Sequence, residues 1–185
     1  ARAYAALREK FPTWEQVRDA PTPEVIAAIR RATSADFPIC IRLSQWKQQD
    51  FAAKLAPTPE AMEAWLRPLV DAGADVLHCS QRRFWEAEFE GSDLNFAAWA
   101  RKLTGKPVIT VGSVGLSGEF IAAFRGEASQ PASLDTLMER FERGDFDLVA
   151  VGRALITDPA WASKVKAGQW ESLTAFDPAS LASLY

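Results

Sequence analysis

Four short apolar runs alternate with segments of helical periodicity along most of the chain. The runs occupy residues 37–43, 75–79, 107–111 and 146–151, and each is nearly continuous in apolar residues instead of alternating with polar ones. Continuous apolar runs are typical of strands in a parallel sheet that is covered by helices. The pattern therefore predicts an α/β fold built from four consecutive βα units.

The segments between the runs carry recognisable helix starts and ends. Thr-Pro-Glu occurs at residues 22–24 and again at 58–60, which places an N-cap, a first-turn proline and an acidic first turn in the expected order. The first of these helices is predicted to run to about Thr33, and the second to stop at Gly73. Pro68 lies inside the second helix and is expected to kink it or shift its end.

The second half of the chain continues the same alternation. Ser92 or Asp93 is predicted to cap a helix that ends at Gly105. Residues 116–145 have helical periodicity in pieces, and Asp158 with the proline after it opens a last helix. Each predicted strand is thus followed by helical sequence.

Two architectures accommodate βα units joined by right-handed crossovers. One is an open doubly wound sheet, and the other is part of a (β/α)8 barrel, whose complete form needs about 250 residues. The chain has 185 residues, so its length alone favours the open sheet.

Composition and charge exclude several classes of protein. With 48% hydrophobic residues the chain can bury a sizeable core, which excludes general disorder. A net charge of −3 offers no basic excess for binding a nucleic acid. No apolar run approaches the roughly 20 residues of a membrane span, and residues 1–10 lack the apolar core of a secretion signal. With only two cysteines, we expect a cytoplasmic protein without disulfides.

In both architectures, ligands bind at the carboxyl ends of the parallel strands. Gly112 follows the third predicted strand and Gly152 the fourth. A glycine at such a position lets backbone N–H groups approach an anion closely, and Arg153 adds a guanidinium that can bind phosphate through two hydrogen bonds. We therefore expect a phosphate site between these turns, the alternative being that the glycines only make turns and Arg153 is a surface cation. Neither a dinucleotide fingerprint nor a P-loop is present in the sequence.

Arg42 lies inside the first apolar run, where a charge is costly to bury without a partner. It is expected to meet either a carboxylate in a structural salt bridge or an anionic or electron-rich ligand. His78 is the only histidine, and in an apolar strand such a residue is more often part of the core than a catalytic base. No second histidine and no cysteine cluster offers a metal site, and Cys40 and Cys79 are expected to be buried structural thiols.

Two long segments, 45–57 and 80–92, are rich in polar and aromatic residues and are predicted to be loops. The charged side chains of the second loop are expected to form a solvated surface, whereas exposed aromatic side chains often cover a pocket. The charged residues are Arg82, Arg83, Glu86, Glu88 and Glu90, and the aromatic ones are Phe84, Trp85 and Phe89. Asp75, Asp145 and Asp147 flank strand starts, away from the expected site.

Four segments, taken together and in order, resemble the old yellow enzyme family, the FMN-dependent NADH:flavin oxidoreductases or ene-reductases. The segments are DFPICIRLSQWKQQDF, ADVLHCSQRRFWEAEFEGSDLNFAAW, GKPVITVGSVG and FDLVAVGRALITDPAWASKVKAG. The similarity covers roughly residues 22–185 and resembles the C-terminal half of the family's (β/α)8 TIM barrel, so the predicted strands match strands five to eight. Residues 1–21 are unlike the family.

The resemblance implies a role for five residues at the strand ends. Arg42 matches the fifth-strand arginine that contacts the flavin ring near its N1/O2 side, where a cation stabilises the anionic reduced flavin. Gly112 and Ser113 match the seventh-strand turn whose backbone N–H groups bind the FMN phosphate. Gly152 and Arg153 match the eighth-strand pair that completes the phosphate site.

The same resemblance implies an activity. In this family NAD(P)H reduces FMN, and the reduced cofactor passes a hydride to the β-carbon of an activated alkene or a related electrophile. Trp46, Phe84 and Trp85 lie on loops that would face the flavin rim and are expected to contact the substrate. The family's other flavin contacts, its paired substrate-binding residues and its tyrosine acid lie in the N-terminal half, so no catalytic residue is assigned here.

A half-barrel leaves two sheet edges and the barrel interior uncovered. We therefore expect this chain to dimerise, to swap elements or to pair with an N-terminal half, whether it is a truncated gene product, an engineered half-barrel or a piece of a longer protein. Two other functions stay open. One is a non-catalytic half-barrel that binds a phosphate or a flavin as an assembly module, and the other is a different phosphate-binding barrel enzyme.

Overall fold

The computed structural model describes residues 2–47, 50 and 52–182. The strands are β1 Cys40–Ser44, β2 Val76–Ser80, β3 Val108–Val111 and β4 Leu148–Val149. The helices are α1 Arg2–Lys10, α2 Trp14–Asp19, α3 Thr22–Ala32, α4 Pro59–Asp71, α5 Phe96–Thr104, α6 Phe120–Phe124, α7 Asp135–Glu142, α8 Arg153–Thr157 and α9 Trp161–Lys166. Short 3-10 helices follow at Trp170–Ser172 and Pro178–Leu181.

The four strands form one parallel sheet in the order β1-β2-β3-β4. In a doubly wound sheet the strand order reverses at a switch point, whereas here every crossover adds its strand on the same side. Stepwise addition of this kind builds a (β/α)8 barrel. The fold is therefore α/β with four βα units that form half of a barrel, and the open sheet that length alone favoured is wrong.

The helix-facing side of the sheet holds the core. Leu77 and Cys79 of β2 and Val108 and Thr110 of β3 are fully buried on this side. The largest fully buried helix residues in the same core are Met62, Leu66 and Phe96. Burying one large apolar side chain stabilises the fold by about 1.5–3 kcal/mol. Several such side chains in this layer therefore hold the helices against the sheet.

The opposite side of the sheet is its inner face, which is uncovered. Side chains alternate between the faces, so Arg42, His78, Ile109 and Leu148 stand side by side in one cross-strand row of the inner face. Arg42 is exposed, and Leu148 is 57% exposed. The inner face is thus uncovered, as expected for a half-barrel, and the prediction that Arg42 is buried is wrong because no opposing strands cover it.

The two cysteines differ in the same way. Cys79 is buried among the helices, as predicted, and burial raises the pKa of its thiol far above the ordinary value. Cys40 lies on the inner face and is exposed, so the prediction of a buried structural thiol is wrong at this position. Both thiols are free.

The Thr-Pro-Glu sequences begin two helices as predicted, but only one threonine is a cap. Thr58 Oγ1 accepts a hydrogen bond from Ala61 N at 3.2 Å. Thr22 is instead the first residue of α3, and Pro21 occupies the N-cap position without a side-chain hydrogen bond. Pro68 does not end α4, which continues for three further residues after it.

The N-cap of α5 is Asn95, which corrects the prediction of Ser92 or Asp93. Asn95 Oδ1 accepts a hydrogen bond from Ala98 N at 2.9 Å, and Asn95 Nδ2 donates to Phe84 O at 2.7 Å. The side chain is fully buried. Because it serves both the helix and the loop after β2, it anchors that loop at the carboxyl end of the sheet.

The aspartates near the strand starts have structural roles at the amino end of the sheet, as their positions predicted. Asp75 Oδ2 accepts a hydrogen bond from Ile39 N at 2.8 Å, and Asp147 Oδ2 accepts one from Val108 N at 2.9 Å. Asp145 is buried in ion pairs with two arginines of the preceding segment. Asp75 and Asp147 tie neighbouring strands together, and all three carboxylates lie away from the strand ends that form the candidate site.

Candidate functional site

A cavity of about 550 Å³ lies at the carboxyl ends of the four strands. Ser44, Ser80 and Val111 line it from the last positions of β1, β2 and β3, and Ala150 lines it directly after β4. This is the end of a barrel at which ligands bind. The five residues predicted to bind a cofactor line it as well: Arg42, Gly112, Ser113, Gly152 and Arg153.

The turn after β3 has a backbone conformation that few residues tolerate. Gly112 has φ +135°, and a Cβ at this position would stand 2.7 Å from Gln81 O, so only glycine fits. Ser113 has φ +52°, in the left-handed region that a residue with a side chain rarely adopts. Strain of this kind costs about 1–3 kcal/mol and is concentrated at functional sites. Ser113 Oγ donates to Gly118 O at 3.0 Å, which holds the turn in this conformation.

Arg153 connects the turn after β4 to the turn after β3. Its Nη2 donates to Gly118 O at 2.7 Å and approaches Ser113 Oγ at 3.5 Å, while its Nη1 donates to Glu119 O at 2.9 Å. The residue is only 8% exposed, so it is not the surface cation of the alternative interpretation. Burial lowers the pKa of the guanidinium, and the negative charge of Glu119 acts in the opposite direction.

Gly152 leaves its side of the cavity open. Apart from Gly152 and its two chain neighbours, no atom of the described residues lies within 4 Å of the point where a Cβ would stand at this position. The backbone at Gly152 therefore faces free space, whereas the backbone at Gly112 is packed against Gln81. The two glycine turns meet at one cavity, but only Gly112 is required to be glycine by its φ and its packing.

Arg42 reaches the cavity from the inner face of the sheet. Its Nη1 lies 2.7 Å from His78 Nε2, and its Nη2 donates to Ser80 Oγ at 3.1 Å. Within the described part of the chain, no carboxylate lies within ion-pair distance of Arg42, so the structural salt bridge considered for it does not form. Burial lowers the pKa of His78, and the positive charge of Arg42 lowers it further.

Arg82 is a site residue that sequence reasoning missed. It was expected on a solvated surface, but it lines the cavity, and its Nε donates to Glu119 Oε2 at 2.6 Å. This hydrogen bond raises the pKa of Arg82. The one sequence signal was its position, two residues after the last residue of β2. With Arg42 and Arg153, it gives the cavity three cationic side chains, which suit an anionic ligand.

A second cavity of about 140 Å³ adjoins the first between the loops after β1 and β2. Trp46 lines both cavities. Glu88, which was expected in solvent, is largely buried here and pairs with Lys54 at 3.2 Å. Burial raises the pKa of Glu88, although Lys54 and a hydrogen bond from Gln45 oppose the increase. This ion pair ties the two loops together beside the main cavity.

The other predicted aromatic contacts lie elsewhere. Phe84 is only 3% exposed and belongs to the core, where its ring meets Trp85 edge to face at 5.0 Å. Neither ring lines the main cavity. Phe89 is also buried and contacts Trp99. Of the three residues expected at the substrate, only Trp46 therefore lines the main cavity.

The described residues form neither a metal site nor a membrane-spanning helix. No group of three or more histidine, cysteine or acidic side chains is placed to hold a metal ion. None of the helices in the described ranges is long and apolar enough to span a membrane.

Comparison with known proteins adds two informative similarities. No protein-family model matches the chain. In sequence, the chain is 30% identical over 154 residues to an NADH oxidase of Thermoanaerobacter brockii. The alignment covers 79% of this chain. In structure, it superposes on the old yellow enzyme homologue NCR of Zymomonas mobilis with a TM-score of 0.51 and 17% identity over 86% of this chain. The chain is thus similar in sequence to an NADH oxidase and in fold to an old yellow enzyme homologue.

Each of these similarities covers only part of the other protein. The chain spans 20% of the length of the NADH oxidase and 38% of the length of NCR. At 17% identity the structural similarity concerns the fold, and it confirms a four-strand section of a TIM barrel.

Proposed function

We propose that this chain supplies the FMN phosphate-binding half of an NAD(P)H-dependent flavin oxidoreductase that reduces activated alkenes or related electrophiles. One observation carries the proposal: the turns after β3 and β4 and the Arg42 side chain line a single cavity at the strand ends. The similarity to an NADH oxidase supports the same class of chemistry. The residues present suit FMN at both its ends, phosphate and ring.

The phosphate would lie between the two glycine turns. The backbone at Gly152 faces open space. The turn after β3 has a left-handed backbone conformation at Ser113, which has a positive φ. Backbone N–H groups at such turns bind phosphate oxygens. Arg153, the first residue after the turn that follows β4, would add charge-assisted hydrogen bonds, because its guanidinium already lies against the segment after β3.

The ring would lie nearer the inner face of the sheet. Arg42 is the β1 residue of the inner-face row, and its side chain lines the cavity. It has no carboxylate partner within the described residues, so its charge is available to an electron-rich ligand. When bound, FMN supplies hydride transfer between NAD(P)H and the substrate. Trp46, at the junction of the two cavities, would limit the space for substrate over the ring.

The uncovered inner face supports a partner for this chain. Ile109 and Leu148 lie on it beside Arg42 and His78, so a second set of strands would bury apolar surface there. We propose that the other half of a barrel, from further sequence or from a second copy, completes the site. The same uncovered face favours the second candidate function, a non-catalytic half-barrel that binds phosphate or flavin.

Purification and a simple assay separate these functions. An oxidoreductase half is expected to purify with a yellow chromophore, or to become yellow on incubation with FMN, whereas a different phosphate-binding barrel enzyme is not. Consumption of NADPH in the presence of a model enone distinguishes the oxidoreductase from a non-catalytic flavin-binding module. A colourless protein that does not take up FMN contradicts the proposal.

A further inference from the structure

Glu119 connects two of the arginines that line the main cavity. Its carboxylate accepts a hydrogen bond from Arg82 Nε at 2.6 Å, and its carbonyl oxygen accepts one from Arg153 Nη1 at 2.9 Å. The Glu119 side chain is only 13% exposed. One residue therefore contacts a guanidinium from the loop after β2 and a guanidinium from the helix after β4.

The backbone at Arg82 lies against the turn after β3. Ser113 Oγ lies 3.4 Å from Arg82 O, and a Cβ at Gly112 would stand 3.2 Å from the Arg82 carbonyl carbon. Phe84 N donates a hydrogen bond to Gly112 O at 3.1 Å, which joins the same loop to the same turn. The Arg82 side chain thus begins beside the turn that binds the phosphate in the proposed function.

The Glu119 carboxylate stands outside the cavity that its partner lines. Arg82 and Arg153 line the cavity, whereas neither Glu119 nor any other acidic residue of the described ranges does. A carboxylate inside an anion site would repel the ligand, because like charges at close range disfavour each other. From outside the cavity, Glu119 instead fixes the direction of the Arg82 guanidinium through the bond to Nε.

We propose that Arg82 binds the phosphate of the ligand together with Arg153, and that Glu119 is the positioning residue that holds Arg82 for this contact. The inference rests on the proposed function because it concerns the same phosphate site. The ligand group is a phosphate monoester, whose oxygens accept charge-assisted hydrogen bonds from a guanidinium. An arginine that is already held loses less rotamer freedom when the ligand binds, which favours the complex.

Two uncharged variants separate positioning from charge. Glu119→Gln keeps an acceptor for Arg82 Nε and Glu119→Ala removes it, while both remove the negative charge. In fluorescence titrations of the full chain, we expect FMN to bind about tenfold more weakly to Glu119→Ala than to Glu119→Gln. Riboflavin, which lacks the phosphate, should bind both variants equally. Equal FMN affinities for the two variants, or a matching loss with riboflavin, overturn the proposal.

Glu63, in the exposed ion pair with Arg67 on α4, provides the matched control. Glu63→Ala and Glu63→Gln should bind FMN equally. Arg82→Ala tests whether Glu119 acts through Arg82. Alone it should weaken FMN binding about tenfold, and in its background the difference between Glu119→Ala and Glu119→Gln should vanish. A difference that persists without Arg82 also overturns the proposal.

Calorimetric titration of the same variants with inorganic phosphate distinguishes this inference from the proposed function. If the unsubstituted chain does not bind FMN but phosphate binding ranks the variants as expected, the proposed function fails and the roles of Arg82 and Glu119 stand. If FMN binds and the two Glu119 variants are equal, the inference fails and the proposed function stands. A chain that binds neither ligand overturns both.

Discussion

The guanidinium of Arg153 lies 3.5 Å from the hydroxyl of Ser113, so the first residue of the helix after β4 touches the turn after β3. Gly118 O accepts hydrogen bonds from both side chains. This shared acceptor couples the two glycine turns into one structural unit.

Arg153→Lys is expected to weaken FMN binding by about 1.5–3 kcal/mol, because an ammonium cannot reproduce the forked hydrogen bonds of a buried guanidinium. Isothermal titration calorimetry of the full chain measures the loss. Arg31→Lys, at an exposed position of α3, is the matched control and should leave the affinity unchanged. Equal affinities for all three proteins remove Arg153 from the site.

Gly112→Ala is expected to lower the free energy of unfolding by about 2 kcal/mol or more, because the new Cβ would stand 2.7 Å from Gln81 O at a φ of +135°. Urea denaturation followed by tryptophan fluorescence gives the value. Gly144→Ala is the control: φ is +82°, but no atom lies within 4 Å of the Cβ position, so only about 1 kcal/mol of backbone strain is expected. Similar losses in the two variants show that the contact with Gln81 is not what requires glycine.

Asn95→Ala is expected to destabilise the fold by about 1–3 kcal/mol, because it removes the cap of α5 and leaves Phe84 O without its donor in the core. Ser92→Ala should cost less than about 0.5 kcal/mol, since Ser92 Oγ only accepts a local hydrogen bond from Leu94 N. Thermal or chemical denaturation compares the two. The reverse ranking would restore Ser92 as the cap.

Glu88 gives a pH dependence of defined sign. Burial raises its pKa in the folded protein above the ordinary carboxyl value of about 4.3, so the folded state binds the proton more tightly than the unfolded state. Its contribution to stability is therefore present below about pH 4.3 and is lost as the pH rises through the folded-state pKa. Glu88→Gln should remove this component, measured as the difference between the two unfolding curves across pH. A difference that grows in the opposite direction contradicts the burial of this carboxyl.

The uncovered inner face predicts association. We expect gel filtration with light scattering to show a dimer or higher species for the isolated chain, because Ile109 and Leu148 would otherwise leave apolar surface in water. Leu148→Asp should shift the equilibrium toward the monomer. A strictly monomeric chain at high concentration argues against self-association and leaves the complementary half as the partner.

The strand ends could be predicted from the sequence because continuous apolar runs and the glycines after them are local signals. The cap of α5 could not, because Ser92, Asp93 and Asn95 are all good capping residues and the choice depends on the distant Phe84 carbonyl. Arg82 looked like a surface charge because its partner Glu119 is remote in sequence. The exposure of Arg42 also depends on what covers the sheet, which strand composition does not reveal.

We propose that the two glycine turns and Arg153 bind the phosphate of a flavin nucleotide. Parallel fluorescence titrations of the full chain with FMN and with riboflavin test it most directly, because the two ligands share the ring and differ in the phosphate. We expect FMN to bind at least about tenfold more tightly, as charge-assisted phosphate contacts are worth roughly 1.5–3 kcal/mol each. Equal affinity for the two ligands, or binding of neither, would contradict the account.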